Sequence, residues 1–238
     1  MIEINKAAVI GAGTMGLGIA GQLANAGVEV LLLDLPSPES SRNAICERAL
    51  ERLMDKNQPG LLHETYLQRI TIGNIEDDFD KLADADWIAE AVVERLDIKK
   101  ALYRRIDSVR KQGSIVSSNT STIPISLLVE DMPESFRAEF AITHYFNPVR
   151  FMRLLEIVRG ASTKPEVIDA LEQFNDVHMG KGIVVCNDTP GFLGNRVGVF
   201  AIQTALHSAF RLGLKPEEAD AVFGRPMGIP KTGVFGLY

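Results

Sequence analysis

Three segments of this 238-residue sequence hold side chains whose types and spacing could do chemistry. His144 ends the apolar run Phe140-Ala141-Ile142-Thr143, and Glu156 lies inside Leu154-Leu155-Glu156-Ile157-Val158. A carboxylate in so apolar a strand is costly unless it is paired, and a histidine on a neighbouring strand is a natural partner. A carboxylate bonded to one imidazole nitrogen fixes the tautomer and leaves the other nitrogen as a base. An isolated histidine would first be read as a satisfied core residue; pairing with Glu156 turns the reading toward proton transfer. The second segment, Ser118-Asn119-Thr120-Ser121-Thr122, directly follows a strand, where an open parallel sheet carries its ligand crevice. Thr122 also suits a helix N-cap ahead of Pro124, and the two roles are compatible.

The third segment is Gly11-Ala12-Gly13-Thr14-Met15-Gly16, a G-x-G-x-x-G run. Alone it is a weak signal. Here a strand precedes it, a helix follows, and Asp34 stands 23 residues after Gly11, at the end of the next apolar run. Gly11 would allow the tight turn, Gly13 the approach of a pyrophosphate, and Gly16 close helix–strand packing. Thr14 and Met15 open the helix, whose first N–H groups and partial positive charge would face the phosphates. A carboxylate at Asp34 accepts hydrogen bonds from a ribose 2′-OH and repels a 2′-phosphate, so NAD is expected over NADP. A kinase glycine loop is excluded, since its HRD and DFG partners are absent from the sequence. A base beside a nicotinamide suits alcohol oxidation, the histidine taking the hydroxyl proton as the carbinol hydrogen leaves as hydride.

The elements that must position these groups follow from periodicity. Residues 6–12 read as a buried strand, a helix runs to about Asn25 with Gly27 as its stop, and Val28 to Leu33 is a second strand. Such a strand–helix–strand unit implies parallel strands. A charged helix is expected over 38–58, broken by Pro59-Gly60, then a helical piece over 61–68 and a strand near Ile70-Ile72. Strands at Trp87–Val93, Ser114–Ser117, Phe140–His144, Leu154–Val158 and Ile183–Cys186 alternate with helices at 97–111, after Pro124, and at 165–179. The fold class is therefore α/β: a Rossmann-like, doubly wound, mostly parallel sheet. The turn cluster Asn187-Asp188-Thr189-Pro190-Gly191 marks a boundary between domains 1–188 and 189–238. Beyond it lie a long helix over 192–212 and a shorter one after Pro216, the start of an all-α domain. The apolar ending Gly233–Tyr238 suggests that this second domain is truncated, because two helices are too few for a core of their own.

Composition narrows the partners. The chain is 46% hydrophobic with a formal net charge of −6, which argues against a general nucleic-acid or membrane-surface binder. Cys46 and Cys186 form no C-x-x-C, so neither a zinc site nor any other metal site is expected, and two isolated cysteines suit a reducing compartment. The N-terminus lacks the pattern of a signal peptide, and no apolar stretch approaches the roughly 20 residues of a membrane helix. The expected location is the cytoplasm.

In order and spacing, GAGTMGLGIA, AVVE, SNTSTIPIS, HYFNPVRFMRLLEIV and DTPGFLGNR resemble the L-3-hydroxyacyl-CoA dehydrogenase family. The resemblance is nearest to the dehydrogenase module of multifunctional fatty-acid β-oxidation proteins, and it spans essentially the whole chain. It implies oxidation of (S)-3-hydroxyacyl-CoA to 3-oxoacyl-CoA with NAD. It further implies that His144 is the base, Glu156 its orienting partner and Ser121 a contact to substrate and nicotinamide. Asn147 matches a cofactor-contacting asparagine, Asn195 one that touches the reacting end of the substrate, and Glu94 and Lys99 residues near the nicotinamide ribose. The segment over 38–65 corresponds to the part that lies against coenzyme A. Arg48, Arg52 and Lys56 recur there every four residues and share one helix face, either to meet phosphates or as a solvated face balanced by Glu47, Glu51 and Asp55. The resemblance also implies a homo-oligomeric full-length protein, with fusion to an enoyl-CoA hydratase domain a further possibility. Two other readings stay open: a non-catalytic NAD-binding or structural relative, and a dehydrogenase of another 3-hydroxy acid.

Overall fold

The computed structural model describes residues 2–39, 41–55, 59–228 and 233–236. The chain divides into two compact units, Met1–Pro190 and Gly191–Tyr238. The described residues of the first unit form eight strands: β1 (Lys6–Ile10), β2 (Glu29–Asp34), β3 (Ile70–Asn74), β4 (Trp87–Glu90), β5 (Ile115–Ser118), β6 (Phe140–Tyr145), β7 (Leu154–Arg159) and β8 (Gly182–Cys186). They form one sheet in the order β3-β2-β1-β4-β5-β6-β7-β8. All neighbouring pairs are parallel except β6 and β7. Only eight residues join β6 to β7, too few for a crossover helix, so the chain must turn back antiparallel. The strand order reverses between β1 and β4, and an open parallel sheet carries its ligand crevice at the carboxyl ends beside such a point.

Helices cover both faces, as the expected doubly wound class requires. On one face α1 (Thr14–Asn25), α2 (Ala44–Leu53) and α6 (Pro165–Val177) bury Leu23, Cys46 and Phe174 in one cluster with alternate strand residues such as Ala7 and Val9. The ring edge of Phe174 meets Trp87 with centroids 6.0 Å apart. On the other face Tyr103, from α3 (Leu96–Val109), packs on Phe140 of β6 and on Phe136, from α5 (Glu134–Ala138). Burial of such apolar surface is the main term holding the layers together.

Several boundaries differ from the sequence reading. The charged helix expected over 38–58 is only Ala44–Leu53, and Lys56 lies outside the described residues. Ahead of it the Ser37 N–H donates to the Arg42 carbonyl, while the hydroxyls of Ser37 and Ser41 accept from the N–H groups of Glu39 and Asn43. Serine side chains thus offer the backbone an alternative to helix. The piece over 61–68 is a 3-10 turn, Glu64–Arg69, capped by His63. β4 stops at Glu90 rather than Val93 because the Val92 N–H leaves the ladder and donates to the Glu90 carboxylate at 2.8 Å. The short helix α5 and a 3-10 turn at Phe79–Asp84 were not foreseen.

The second unit contains α7 (Gly194–Leu212) and α8 (Pro216–Val222). Gly213, at φ +66°, ends α7 in the left-handed region that glycine enters without penalty. Pro216 opens α8 at a position where its missing N–H costs nothing.

Candidate functional site

The glycine turn joins β1 to α1. Gly11 has φ +105°, and a Cβ there would lie 2.5 Å from the Ala91 carbonyl oxygen. A Cβ on Gly16 would lie 1.8 Å from the Gly11 carbonyl oxygen, so this glycine is what lets α1 sit against the turn. Gly13 is different: its φ is −64°, and a Cβ there would meet nothing within 4 Å. Folding does not require glycine at 13, and the open space is a cradle that a side chain would fill. Thr14 and Met15 begin α1, which starts without a side-chain cap and with no acidic residue in its first turn. Its first N–H groups therefore face the same space, an arrangement suited to an anion.

Asp34 ends β2. Its carboxylate accepts from the Ala12 N–H at 2.5 Å and from the Leu35 N–H at 2.6 Å, one bond to each oxygen. A carboxylate has about four acceptor positions, so capacity remains for a vicinal diol. Beside it opens a cavity of about 460 Å³, lined mainly by apolar groups including Leu35, Ile75, Val92 and Ile98. An apolar cavity with a carboxylate in its lining suits an adenosine. Arg105 also borders the cavity, but its guanidinium donates to the Ile75 carbonyl at 2.6 Å and stacks over the Phe79 ring at 4.1 Å. The residues present fit a dinucleotide.

Across the reversal point, the ends of β4 and β5 carry a buried set of charges. Glu90 is fully buried and accepts four hydrogen bonds: from Lys99 Nζ at 2.6 Å, the Tyr103 hydroxyl at 2.6 Å, the Ser118 hydroxyl at 2.7 Å and the Val92 N–H. Lys99 is 1% exposed and also meets Glu94 at 3.3 Å. Glu94 gathers the loop after β5, accepting from the hydroxyls of Thr120 and Thr122 and from the Ser121 N–H at 3.2 Å. Burial alone would raise the Glu94 carboxyl; the Thr120 bond, the Lys99 charge and the Thr122 bond outweigh it and hold the group below the usual carboxylate range. Burial, then the neighbouring Glu90, pushes the Tyr103 hydroxyl well up, so it remains a donor. Thr122 is not the cap of α4 (Ile125–Leu128): the Asp188 carboxylate accepts from the N–H groups of Ile125 and Ser126 instead.

The reactive pair stands on the antiparallel ladder. His144 and Glu156 are direct cross-strand partners of β6 and β7, and His144 Nδ1 lies 2.6 Å from Glu156 Oε2. Glu156 is completely buried and His144 6% exposed. With the proton on Nδ1 donated to the carboxylate, the lone pair sits on Nε2. The Cys186 thiol, on β8, lies 3.9 Å from the other carboxylate oxygen. Phe146 packs on the imidazole with centroids 4.5 Å apart, and Asn119 from the β5 loop accepts the Tyr145 N–H at 3.0 Å. The loop after β5 is thereby tied to the end of β6, next to His144. Asn147 is exposed on the loop after β6.

Arg48 and Arg52 lie on α2. Arg48 is neutralised by Glu39, with both contacts at 2.8 Å, rather than by Glu47. Arg52 is exposed and donates to the Thr14 hydroxyl at 3.3 Å, at the mouth of the glycine turn. Asn195 is the second residue of α7 in the second unit. Cys46 takes no part in chemistry: its thiol donates to the carbonyls of Leu32 and Gly73, and burial pushes it up to about 12.

Residues 6–189 match the family model described as 3-hydroxyacyl-CoA dehydrogenase, NAD binding domain. The chain belongs to this family of NAD-dependent dehydrogenases. It is 41% identical over 235 residues to a probable 3-hydroxyacyl-CoA dehydrogenase of Deinococcus radiodurans, covering 98% of this chain and 68% of the relative. It is 42% identical to a putative fatty acid oxidation complex trifunctional enzyme of Rickettsia felis, covering 99% of this chain but only 33% of that relative. The chain thus spans about two thirds of one relative and a third of the other. Among solved structures, the (S)-3-hydroxybutyryl-CoA dehydrogenase of Ralstonia eutropha superposes with a TM-score of 0.80 at 29% identity, covering 96% of this chain and 79% of that one.

Within this dehydrogenase fold, sequence reasoning missed Glu90. The signal was present, because Trp87-Ile88-Ala89-Glu90 buries a carboxylate in an apolar strand just as Leu154–Val158 buries Glu156. Its partners Lys99, Tyr103 and Ser118 come from a helix and a strand 9 to 28 residues away, so their convergence could not be read off spacing. Among the described residues no group of three or more His, Cys, Asp or Glu could hold a metal, and no helix is long and apolar enough to cross a membrane.

Proposed function

We propose that this chain supplies the cofactor half and the proton-transfer pair for oxidation of (S)-3-hydroxyacyl-CoA to 3-oxoacyl-CoA. The observation that carries the reading is the buried His144–Glu156 pair, on the same sheet as a crevice that fits a dinucleotide. NAD, when bound, supplies the hydride acceptor. His144 takes the hydroxyl proton at Nε2 during oxidation and returns it in reduction, and Glu156 holds the ring in that tautomer and stabilises the imidazolium. Asp34 holds the adenosine ribose, and the Gly11–Gly16 turn with Thr14 and Met15 at the start of α1 receives the pyrophosphate. Glu94, Lys99, Ser121 and Asn147 border the nicotinamide end. Ser121 holds the substrate oxygen, where a preorganised donor stabilises developing charge, and the family resemblance gives Asn195 a substrate contact. Arg52, which donates to Thr14 at the mouth of the glycine turn, is read as a contact to the phosphates of coenzyme A.

The second unit is read as the start of a helical substrate and dimerisation domain. The full-length protein is read as a homo-oligomer; its relatives among fatty acid oxidation complexes support fusion to a hydratase module. Two buried cysteines suit a cytoplasmic, reducing location.

The test follows NADH absorbance on adding acetoacetyl-CoA to this chain and to His144→Gln, with NADH affinity measured in parallel. The expected result is consumption by the parent and a loss of about two to four orders of magnitude in the variant at nearly unchanged NADH affinity. Full turnover by His144→Gln would remove His144 from the mechanism.

A further inference from the structure

We infer that the charged cluster at the carboxyl ends of β4 and β5 discriminates between the redox states of the cofactor, favouring the oxidised nicotinamide over the reduced one. The inference rests on the dinucleotide reading above. Its first support is a charge count. Glu90 accepts two donors on each oxygen, one of them the Lys99 ammonium, which is the full bonding pattern of a carboxylate. Lys99 Nζ stands between Glu90 at 2.6 Å and Glu94 at 3.3 Å and is the one cation that the described residues pair with either carboxylate. Glu94 faces that cation and three donors from Thr120, Ser121 and Thr122, and is ionised as well. Two carboxylates and one ammonium leave one negative charge unbalanced.

The second support is where that charge emerges. The side chains of Glu90 and Lys99 are 0% and 1% exposed, whereas that of Glu94 is 39% exposed. The pair inside is closed off, and the unbalanced charge reaches the surface through Glu94. The position is fixed on both sides. Val92, two residues before Glu94, lines the adenosine cavity, while Ser121 and Asn119 lead through Tyr145 to His144. A dinucleotide lying across the reversal point places its nicotinamide on this stretch, between cavity and base. The oxidised ring carries a positive charge that the reduced ring lacks. A fixed negative charge in a partly dehydrated site attracts the first and gains nothing from the second. During alcohol oxidation that attraction disappears as the ring is reduced, which favours release of the reduced cofactor.

The experiment titrates NAD+ and NADH separately into the whole chain by calorimetry, for the parent, Glu94→Gln and Glu94→Asp. Glutamine keeps an acceptor for Thr120 and Thr122 but leaves the cluster neutral. The ratio Kd(NAD+)/Kd(NADH) should rise about tenfold in Glu94→Gln. In Glu94→Asp, which keeps the charge, the ratio should stay within about twofold of the parent even if both affinities fall. An unchanged ratio in Glu94→Gln, or an equal rise in Glu94→Asp, would overturn the inference while leaving the cofactor reading intact. Failure of the parent to bind either form would overturn the cofactor reading itself.

Discussion

Gly13 and Gly16 stand three residues apart in one motif, yet the structure assigns them separate physical jobs that substitution can tell apart. In Gly16→Ala the new methyl would begin 1.8 Å from the Gly11 carbonyl oxygen, with the Gly11 carbonyl carbon at 3.0 Å and Ala91 Cβ at 3.3 Å. The atoms it meets are mostly backbone, so no side chain can step aside. To reach ordinary contact, α1 must withdraw by roughly 1.5 Å, opening gaps beneath Leu17, Ile19, Ala20 and Leu23. Overpacking of this kind costs about 3 kcal/mol. For a unit of this size, that lowers Tm by about 6–12 °C. In Gly13→Ala the methyl meets nothing, and φ −64° suits alanine. A weaker N-cap, at about 0.5–1 kcal/mol, is offset by a similar loss of unfolded-chain freedom, so Tm should move by about 2 °C or less. The same methyl fills the cradle at the start of α1 and holds a pyrophosphate away from its N–H groups. Losing about 2 kcal/mol of that interaction weakens NADH binding about thirtyfold. The assay pairs thermal unfolding of the cofactor-free chain with calorimetric titration of NADH. The reasoning is refuted if Gly13→Ala binds NADH like the parent, or if Gly16→Ala unfolds at the parental temperature.

Three further outcomes are expected. Lys99→Met leaves Glu90 ionised without its cation and should cost about 3 kcal/mol of stability by denaturant unfolding; a cost below about 1 kcal/mol would show that Glu90 does not need its cation. NADPH should bind the parent at least tenfold more weakly than NADH, because Asp34 repels a 2′-phosphate, and Asp34→Ser should narrow that gap; equal affinities in the parent would dismiss the role given to Asp34. Arg52→Glu should raise the KM for acetoacetyl-CoA several-fold with little change in kcat. An unchanged KM would leave Arg52 as a solvated residue at the mouth of the glycine turn.

Much of this was legible in the chain itself. Short apolar runs separated by helical periodicity dictated an α/β sheet, since buried parallel strands must be apolar on both faces and their crossovers must be helices. The placing of Gly11, Gly13 and Gly16 between a strand and a helix, with Asp34 at the next strand end, pointed to the dinucleotide crevice, because Gly11 and Gly16 answer local backbone requirements that the fold itself imposes, whereas Gly13 and Asp34 answer only those of a ligand. His144 and Glu156 could be suspected of pairing from the sequence, as a carboxylate in Leu154–Val158 is costly without a partner and a histidine ends the neighbouring strand. Where local rules compete, the sequence said less. Serines around 37–43 took backbone bonds that shortened the charged helix, and a glutamate that bonds its own neighbour ended β4 early.

Tertiary structure alone decided which donors meet which carboxylates. Spacing cannot show that Lys99, Tyr103 and Ser118 all converge on Glu90, that Asp188 and not Thr122 caps α4, or that Arg48 is spent on Glu39. Nor can it show that an antiparallel turn sets His144 and Glu156 opposite each other at 2.6 Å. The periodicity of a segment is written in its own residues, because it reflects burial of one face against an averaged apolar interior. A hydrogen bond across strands depends on register and side-chain direction to a fraction of an ångström, and those exist only once the layers have packed.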